Sequence, residues 1–203
     1  MKEQLKKDMS AVIRAYNQKG WSPATSTNYS FRTADNLLVI VVSRSGIDKA
    51  NFTPNDFIEV DFDGEVLSEF EGSRPSAETL IHCVLYGLFP ETMVVLHSHS
   101  VYPVLWSMEL EENISFQGFE VQKGFDGQTS HDDTVTIPIF ENSQDMVEFK
   151  SWMENRQEEI NNHAFIIKGH GTYAWGKNLF EAKRHLETLD YLCELEWKRK
   201  KSI

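Results

Sequence analysis

Apolar residues at Leu5, Met9, Val12, Ile13 and Tyr16 fall three and four apart, the spacing of one helix face, and Gly20 is placed to stop that helix. The polar stretch 22–30 reads as loop. Residues 37–42 form an unbroken apolar run that predicts a buried strand, and residues 57–62 alternate as a half-buried one does. Asp63-Gly64 is a hairpin-type turn signal leading into Glu65-Val66-Leu67. Helical spacing returns over 77–89, with Ser76 as candidate N-cap and Pro90 as terminator. Strands are expected over 93–99, 134–140, 164–168 and 172–175, and a short helix over 102–108. A helix over 143–160 would carry Met146, Phe149, Trp152 and Met153 on one face. A last helix, 179–200, would turn Ala182, His185, Leu186, Leu189, Leu192, Cys193 and Leu195 to the core. Strands and helices alternate irregularly with no repeat or linker, which predicts one domain with a mixed sheet covered by helices.

The 203 residues carry 40% hydrophobic and 12% aromatic side chains, enough for a substantial core without staples. A formal net charge of -11 and the lack of a basic stripe argue against nucleic acid as partner. The one dense basic run, Lys198-Arg199-Lys200-Lys201, suits the negative end of a terminal helix. Cys83 and Cys193 lie inside apolar helical patterns and read as small core residues, not a disulfide framework. Residues 1–20 intersperse Lys2, Lys6, Lys7 and Asp8 with apolar positions, so no signal-peptide core is seen. No apolar run is long enough to span a bilayer, and the cytoplasm is the expected compartment.

Side chains alternate along a strand, so Met93, Val95, His97 and His99 share one face, and two imidazoles there can converge on one ion. His170 sits between Gly169 and Gly171 directly after a strand, an arrangement that presents one side chain into a cleft. Three histidines at strand ends match a three-ligand catalytic metal site with an open fourth position. Such a site needs an acid/base partner, for which Glu78 and Glu120 are the candidates, and an anchor for its substrate. The Ser26-Thr27-Asn28-Tyr29-Ser30 and Ser43-Arg44-Ser45-Gly46 loops, with Lys49 nearby, could cradle an anion. His131 lies in the polar stretch 126–133, where a solvated loop histidine or a substrate contact are both open. Three imidazoles suit zinc but also accept cobalt, nickel, iron or manganese.

In order along nearly the whole chain, these segments resemble the class II aldolase and adducin-type family. Residues 26–30 are similar to its phosphate loop, with Thr27 where glycine is usual, and Ser45-Gly46 to its second phosphate element. Arg74-Pro75-Ser76-Ala77-Glu78 resembles its Pro-Ser-x-Glu motif, His97-Ser98-His99 its metal pair, and Gly169-His170-Gly171 its third ligand. Three stretches resemble the members that dehydrate a phosphorylated ketose: 119–124, 137–142, and 170–176 followed by 181–187. The resemblance implies a three-layer α/β/α sandwich with a central mixed, largely antiparallel sheet, spanning 1–203. It implies one zinc ion per subunit on His97, His99 and His170, with Glu120 as the acid/base residue and Glu78 assisting. A small phosphorylated sugar would be held by Ser26, Thr27, Asn28, Ser45, Gly46, Lys49 and Ser76, in a homotetramer with its site near a subunit interface. Two alternatives stay open: an aldolase cleaving a sugar phosphate, and a non-catalytic interaction domain of the same fold.

Overall fold

A computed structural model describes residues 1–201. In chain order its main elements are α1 (Lys2–Gln18), β1 (Tyr29–Thr33), β2 (Asn36–Ser43), β3 (Phe57–Val60), α2 (Thr79–Leu88), β4 (Val94–Ser98) and α3 (Val101–Glu109). There follow β5 (Asn113–Phe116), β6 (Val135–Phe140), α4 (Met146–Asn155), β7 (Ala164–Ile167), β8 (Gly171–Gly176) and α5 (Leu179–Lys201). The strands form one eight-stranded sheet in the order β3-β2-β1-β4-β8-β7-β6-β5. Every pairing is antiparallel except β6 with β7, so the sheet is mixed and largely antiparallel.

Strand alternation divides the core in two. Val94 and Leu96 of β4 and Ala174 of β8 join Met9, Ile13 and Tyr16 of α1, Trp106 of α3 and Leu186 and Leu189 of α5 on one face. Val95, Tyr173 and Trp175 join Ile81 and Leu85 of α2 and Phe149 and Met153 of α4 on the other. Each large apolar side chain removed from water there contributes roughly 1.5–3 kcal/mol, which fixes both helical layers on the sheet. This is the expected three-layer sandwich. Among the described residues no helix is long and apolar enough to cross a membrane.

Several local expectations need correction. The loop expected to run through Ser30 ends earlier, because Tyr29–Thr33 is a wholly buried strand. Its polar side chains conceal it: Ser30 bonds His82 and Tyr86, and Arg32 donates to the carbonyls of Thr92 (2.8 Å) and Pro90 (2.5 Å). The first half of β2 is exposed, with Leu38 77% accessible, because only its second half lies under α2 and the core. The helix expected from residue 77 starts at Thr79 with Glu78 as its cap residue, and the Ser76 hydroxyl accepts instead from the Glu78 N–H at 3.3 Å. The helix expected over 143–160 breaks at Arg156 into a 3-10 turn, Gln157–Ile160. There the Arg156 guanidinium bonds the Ile139 carbonyl at 3.0 Å and the Glu159 carboxylate at 2.6 Å. Strand β5, not among the expected strands, alternates polar and apolar as Asn-Ile-Ser-Phe, but over only four residues, too short a run to stand out in the sequence. Cys83 and Cys193 are buried free thiols, and the terminal basic run pairs with Glu194, Glu196 and Glu109.

Candidate functional site

β4 and β8 lie side by side in the register His97 opposite Tyr173 and Ser98 opposite Thr172, so the end of β4 meets the start of β8. The turn from β7 to β8 therefore delivers His170 to the same place as His97 and His99. One ring nitrogen from each histidine lies within 4.8 Å of the others. The His99 and His170 rings stand at 74° and 87° to His97, so the three approach from different directions.

Both glycines around His170 have a physical reason. Gly169 holds φ +63°, the left-handed region that side chains avoid. A β-carbon on Gly171 would lie 2.1 Å from the Ser98 carbonyl oxygen and 2.9 Å from the His99 ring. Only glycine lets β8 pass this close to the imidazoles.

His97 is fully buried, stacked on Tyr173 at 4.1 Å, and its Nδ1–H donates to the Thr172 carbonyl at 3.0 Å. That bond leaves the lone pair on Nε2, pointing into the cluster, which is the form that binds a metal. His97 Nε2 and His99 Nε2 are 2.9 Å apart, a distance at which two lone pairs repel unless a proton or a cation lies between them. Burial pushes the His97 pKa well below its ordinary value and that of His99 down to about 4, so both favour the neutral, metal-binding state. The donor set and its spacing fit a divalent ion with affinity for imidazole.

Glu78 closes the cluster from α2. Its Oε1 is 3.1 Å from His170 Nε2 and its Oε2 is 3.4 Å from His97 Nε2. Oε2 also accepts from the Tyr173 hydroxyl at 2.9 Å and the Asn28 amide at 3.1 Å. Burial alone would raise the carboxyl's pKa, but the His170 hydrogen bond, the adjacent His97 and His170 imidazoles and the Tyr173 hydroxyl hold it well below the usual carboxylate range. Tyr173, absent from the candidates read in the sequence, thus both packs on His97 and bonds Glu78.

The proposed anion-binding segments border this cluster. Asn28 also donates to Ser76 Oγ at 3.0 Å, and the Ser45 N–H donates to the Arg74 carbonyl at 2.9 Å, tying both loops to the segment before α2. Ser26 Oγ is buried without a hydrogen-bond partner. Thr27 holds φ +68°, and its hydroxyl offsets that strain with bonds to Ser22 Oγ (3.0 Å) and the Ser26 carbonyl (2.6 Å). Gly46 forms an exposed turn at φ +75°. Lys49 is buried behind the loops and donates to the carbonyls of Ile47 (3.1 Å) and Thr25 (3.4 Å), with its pKa lowered by burial to about 8.

Glu120 lies elsewhere. It opens the 3-10 turn Glu120–Gly124, its side chain is 74% exposed, and it pairs with Lys123 (2.7 Å) and His131 (3.5 Å). Its neighbours Phe119 and Val121 pack with the α1–α3–α5 face of the sheet, whereas His97 and Tyr173 face α2 and α4. The hydrogen bond from Lys123, with the Lys123 and His131 charges, pulls its pKa down. Within one chain the structure brings together His97, His99, His170, Glu78, Asn28 and Ser76, with Glu120 at none of their contacts.

Residues 7–197 match the family described as Class II Aldolase and Adducin N-terminal domain. The chain is 51% identical over 195 residues to a methylthioribulose-1-phosphate dehydratase of Picosynechococcus sp., an alignment covering 94% of this chain and 91% of that protein. It is 42% identical over 188 residues to one of Xanthomonas campestris pv. campestris, covering 91% and 85%. The L-fuculose-1-phosphate aldolase of Thermus thermophilus shares the fold, with a TM-score of 0.77 at 22% identity over 98% of this chain and 97% of that one.

Proposed function

The chain belongs to the class II aldolase and adducin family, and from that premise we propose that it is a zinc-dependent hydro-lyase of methionine salvage. It removes water from 5-methylthioribulose 1-phosphate to give 2,3-diketo-5-methylthiopentyl 1-phosphate. Three imidazole nitrogens within 4.8 Å of one another beside a half-buried carboxylate carry this reading, supported by likeness to dehydratases over more than nine-tenths of the chain.

His97, His99 and His170 would hold the ion. When bound, it would act as a Lewis acid on the substrate's oxygens and make the C3 proton acidic. Glu120 removes that proton and supplies one to the departing C4 hydroxyl, so one water leaves. The resulting enol tautomerises to the diketone without change of overall oxidation state. Glu78, with Oε2 occupied by Tyr173 and Asn28, assists from beside the imidazoles through Oε1. Ser26, Thr27, Asn28, Ser45, Gly46 and Ser76 bind the phosphate, and Lys49 adds positive charge from behind. The buried, unpartnered Ser26 hydroxyl supports this, as does Ser76, which accepts two hydrogen bonds and keeps its own proton to donate.

The position of Glu120 sharpens the reading. As it touches no residue of the histidine cluster of its own chain and faces solvent, it serves the cluster of a neighbouring subunit in a homotetramer. The enzyme acts in the cytoplasm.

The test is a mass spectrum of 5-methylthioribulose 1-phosphate after incubation with the protein, with and without a chelator. The expected product is lighter by one water and is not formed when the chelator is present. Dihydroxyacetone phosphate with methylthioacetaldehyde would instead identify an aldolase.

A further inference from the structure

Behind Glu78 a chain of buried polar groups runs along the inside of the sheet. Asn28 donates to Glu78 Oε2 and Ser76 Oγ, and its Oδ1 faces His82 Nε2 at 2.5 Å. On the other edge of that ring, Nδ1 is 2.7 Å from Ser30 Oγ, and Ser30 Oγ is 2.8 Å from the Tyr86 hydroxyl. Tyr86 in turn lies under the Arg32 guanidinium, 4.8 Å from its ring centre. His82 is fully buried. It lies one helical turn beyond Glu78, so both project from the same side of the start of α2.

The donor and acceptor chemistry allows one direction through this chain. One end of the Asn28 amide faces two oxygens and the other a single ring nitrogen. With NH2 toward the oxygens, both hydrogens are used; reversed, one is stranded and Oδ1 is set against a carboxylate oxygen. Asn28 Oδ1 therefore accepts, and His82 must donate to it from Nε2. His82 Nδ1 then carries the lone pair and accepts from Ser30, which in turn accepts from Tyr86. Burial pushes the His82 pKa down to about 3, in keeping with a ring that stays neutral and singly protonated.

We propose that His82 is a positioning residue for the catalytic site: fixed by Ser30 and Tyr86 as the Nε2–H tautomer, it turns the Asn28 amide so that its NH2 holds Glu78 and Ser76. His82 touches neither substrate nor metal. It sets the orientation of groups that do, and it couples the phosphate loop to the carboxylate beside the histidines. The catalytic part of this proposal rests on the dehydratase reading; the hydrogen positions do not.

Two experiments test it. Neutron diffraction from deuterated crystals of the metal-loaded protein should show deuterium on His82 Nε2 and none on Nδ1, with the deuterated Asn28 amide nitrogen toward Glu78 and Ser76. Deuterium on Nδ1, or a reversed amide, would overturn the proposal whatever the substrate. His82→Phe, which fills the space without a donor, should lower kcat roughly 10–100-fold at unchanged metal content, the range for groups that orient a metal site. His82→Gln keeps an amide donor toward Asn28 and should restore most of that loss. Equal activity of both variants with wild type, at equal folded fraction, would overturn the positioning role. Should His82→Phe fail to fold, the neutron result decides.

Discussion

His97, buried and stacked on Tyr173, and Glu120, with a 74% exposed side chain, belong to opposite faces of one sheet. Around His97 nearly every polar atom is committed: Nδ1–H to a carbonyl, Glu78 Oε2 to two donors, Asn28 to three partners. Two paired strands and a glycine-only approach set the position of each imidazole. Among the described residues Glu120 pairs only with Lys123 and His131, themselves exposed. A metal centre must be preorganised, because its ligands have to converge before the ion binds, and strand ends supply that rigidity. In the proposed reaction a proton-transfer group must instead meet the substrate, and Glu120 stands on an exposed surface turn, where the proposal has a second subunit bring the two halves together.

The largest effects should separate the two regions. His170→Ala should lose both bound metal and turnover, read by elemental analysis and the dehydration assay. Glu120→Gln should keep its metal and its melting temperature while turnover falls roughly 10²–10⁴-fold, the range for a lost general acid/base. A Glu120→Gln enzyme of full activity would remove Glu120 from the chemistry and with it the contrast.

A smaller effect is expected at Gly171. A methyl group there meets the Ser98 carbonyl at 2.1 Å, so β8 must shift away from β4. Gly171→Ala should cost roughly 1–3 kcal/mol of stability, as overpacking does, and lower metal retention. Denaturant unfolding with metal analysis checks this, and unchanged values would show that the histidine end is more pliable than its packing suggests.

The smallest effect is on the pH dependence of the chelated protein. The histidine pKa in the folded state, about 4 for His99 and well below normal for His97, lies under the unfolded value of about 6.5. The unfolded chain therefore takes up protons first, so stability holds above about pH 6.5 and declines as pH falls toward 4. Glu78, also depressed, adds to the loss below its unfolded value of about 4.3. The melting temperature of His99→Asn should fall less between pH 7 and 4 than that of wild type, and equal slopes would contradict the assignment. Glu120→Gln keeps His97, His99 and Glu78, so its melting temperature should fall with pH much as that of wild type does.

The two regions also differed in how far they could be read from sequence. The His97–His99 alternation and the glycines around His170 announced imidazoles meeting at strand ends, because strand geometry makes that spacing meaningful. The Ser30–His82–Tyr86 chain was hidden. Its members sit 52 and 56 residues apart in sequence, and the strand that carries Ser30 is too polar in composition to be seen. Glu78, His82 and Tyr86, spaced four apart from the cap of α2 onward, were the local signal of it. Tyr173 stood inside a segment used for resemblance, yet its bond to Glu78 depends on the pairing of β8 with β4. For Glu120 the sequence offered a carboxylate within a familiar run and no clue to the face it would occupy. That depends on how the turn 120–124 packs against α5.

The most direct test of the division is to mix two inactive variants. His170→Ala and Glu120→Gln subunits, co-expressed with different tags and purified as hybrids, should regain turnover. With random assembly about a quarter of sites would pair intact histidines with an intact Glu120 from the neighbour, giving about a quarter of the wild-type rate. Hybrids no more active than either parent would mean that Glu120 and the histidines must lie in the same chain, contradicting the account.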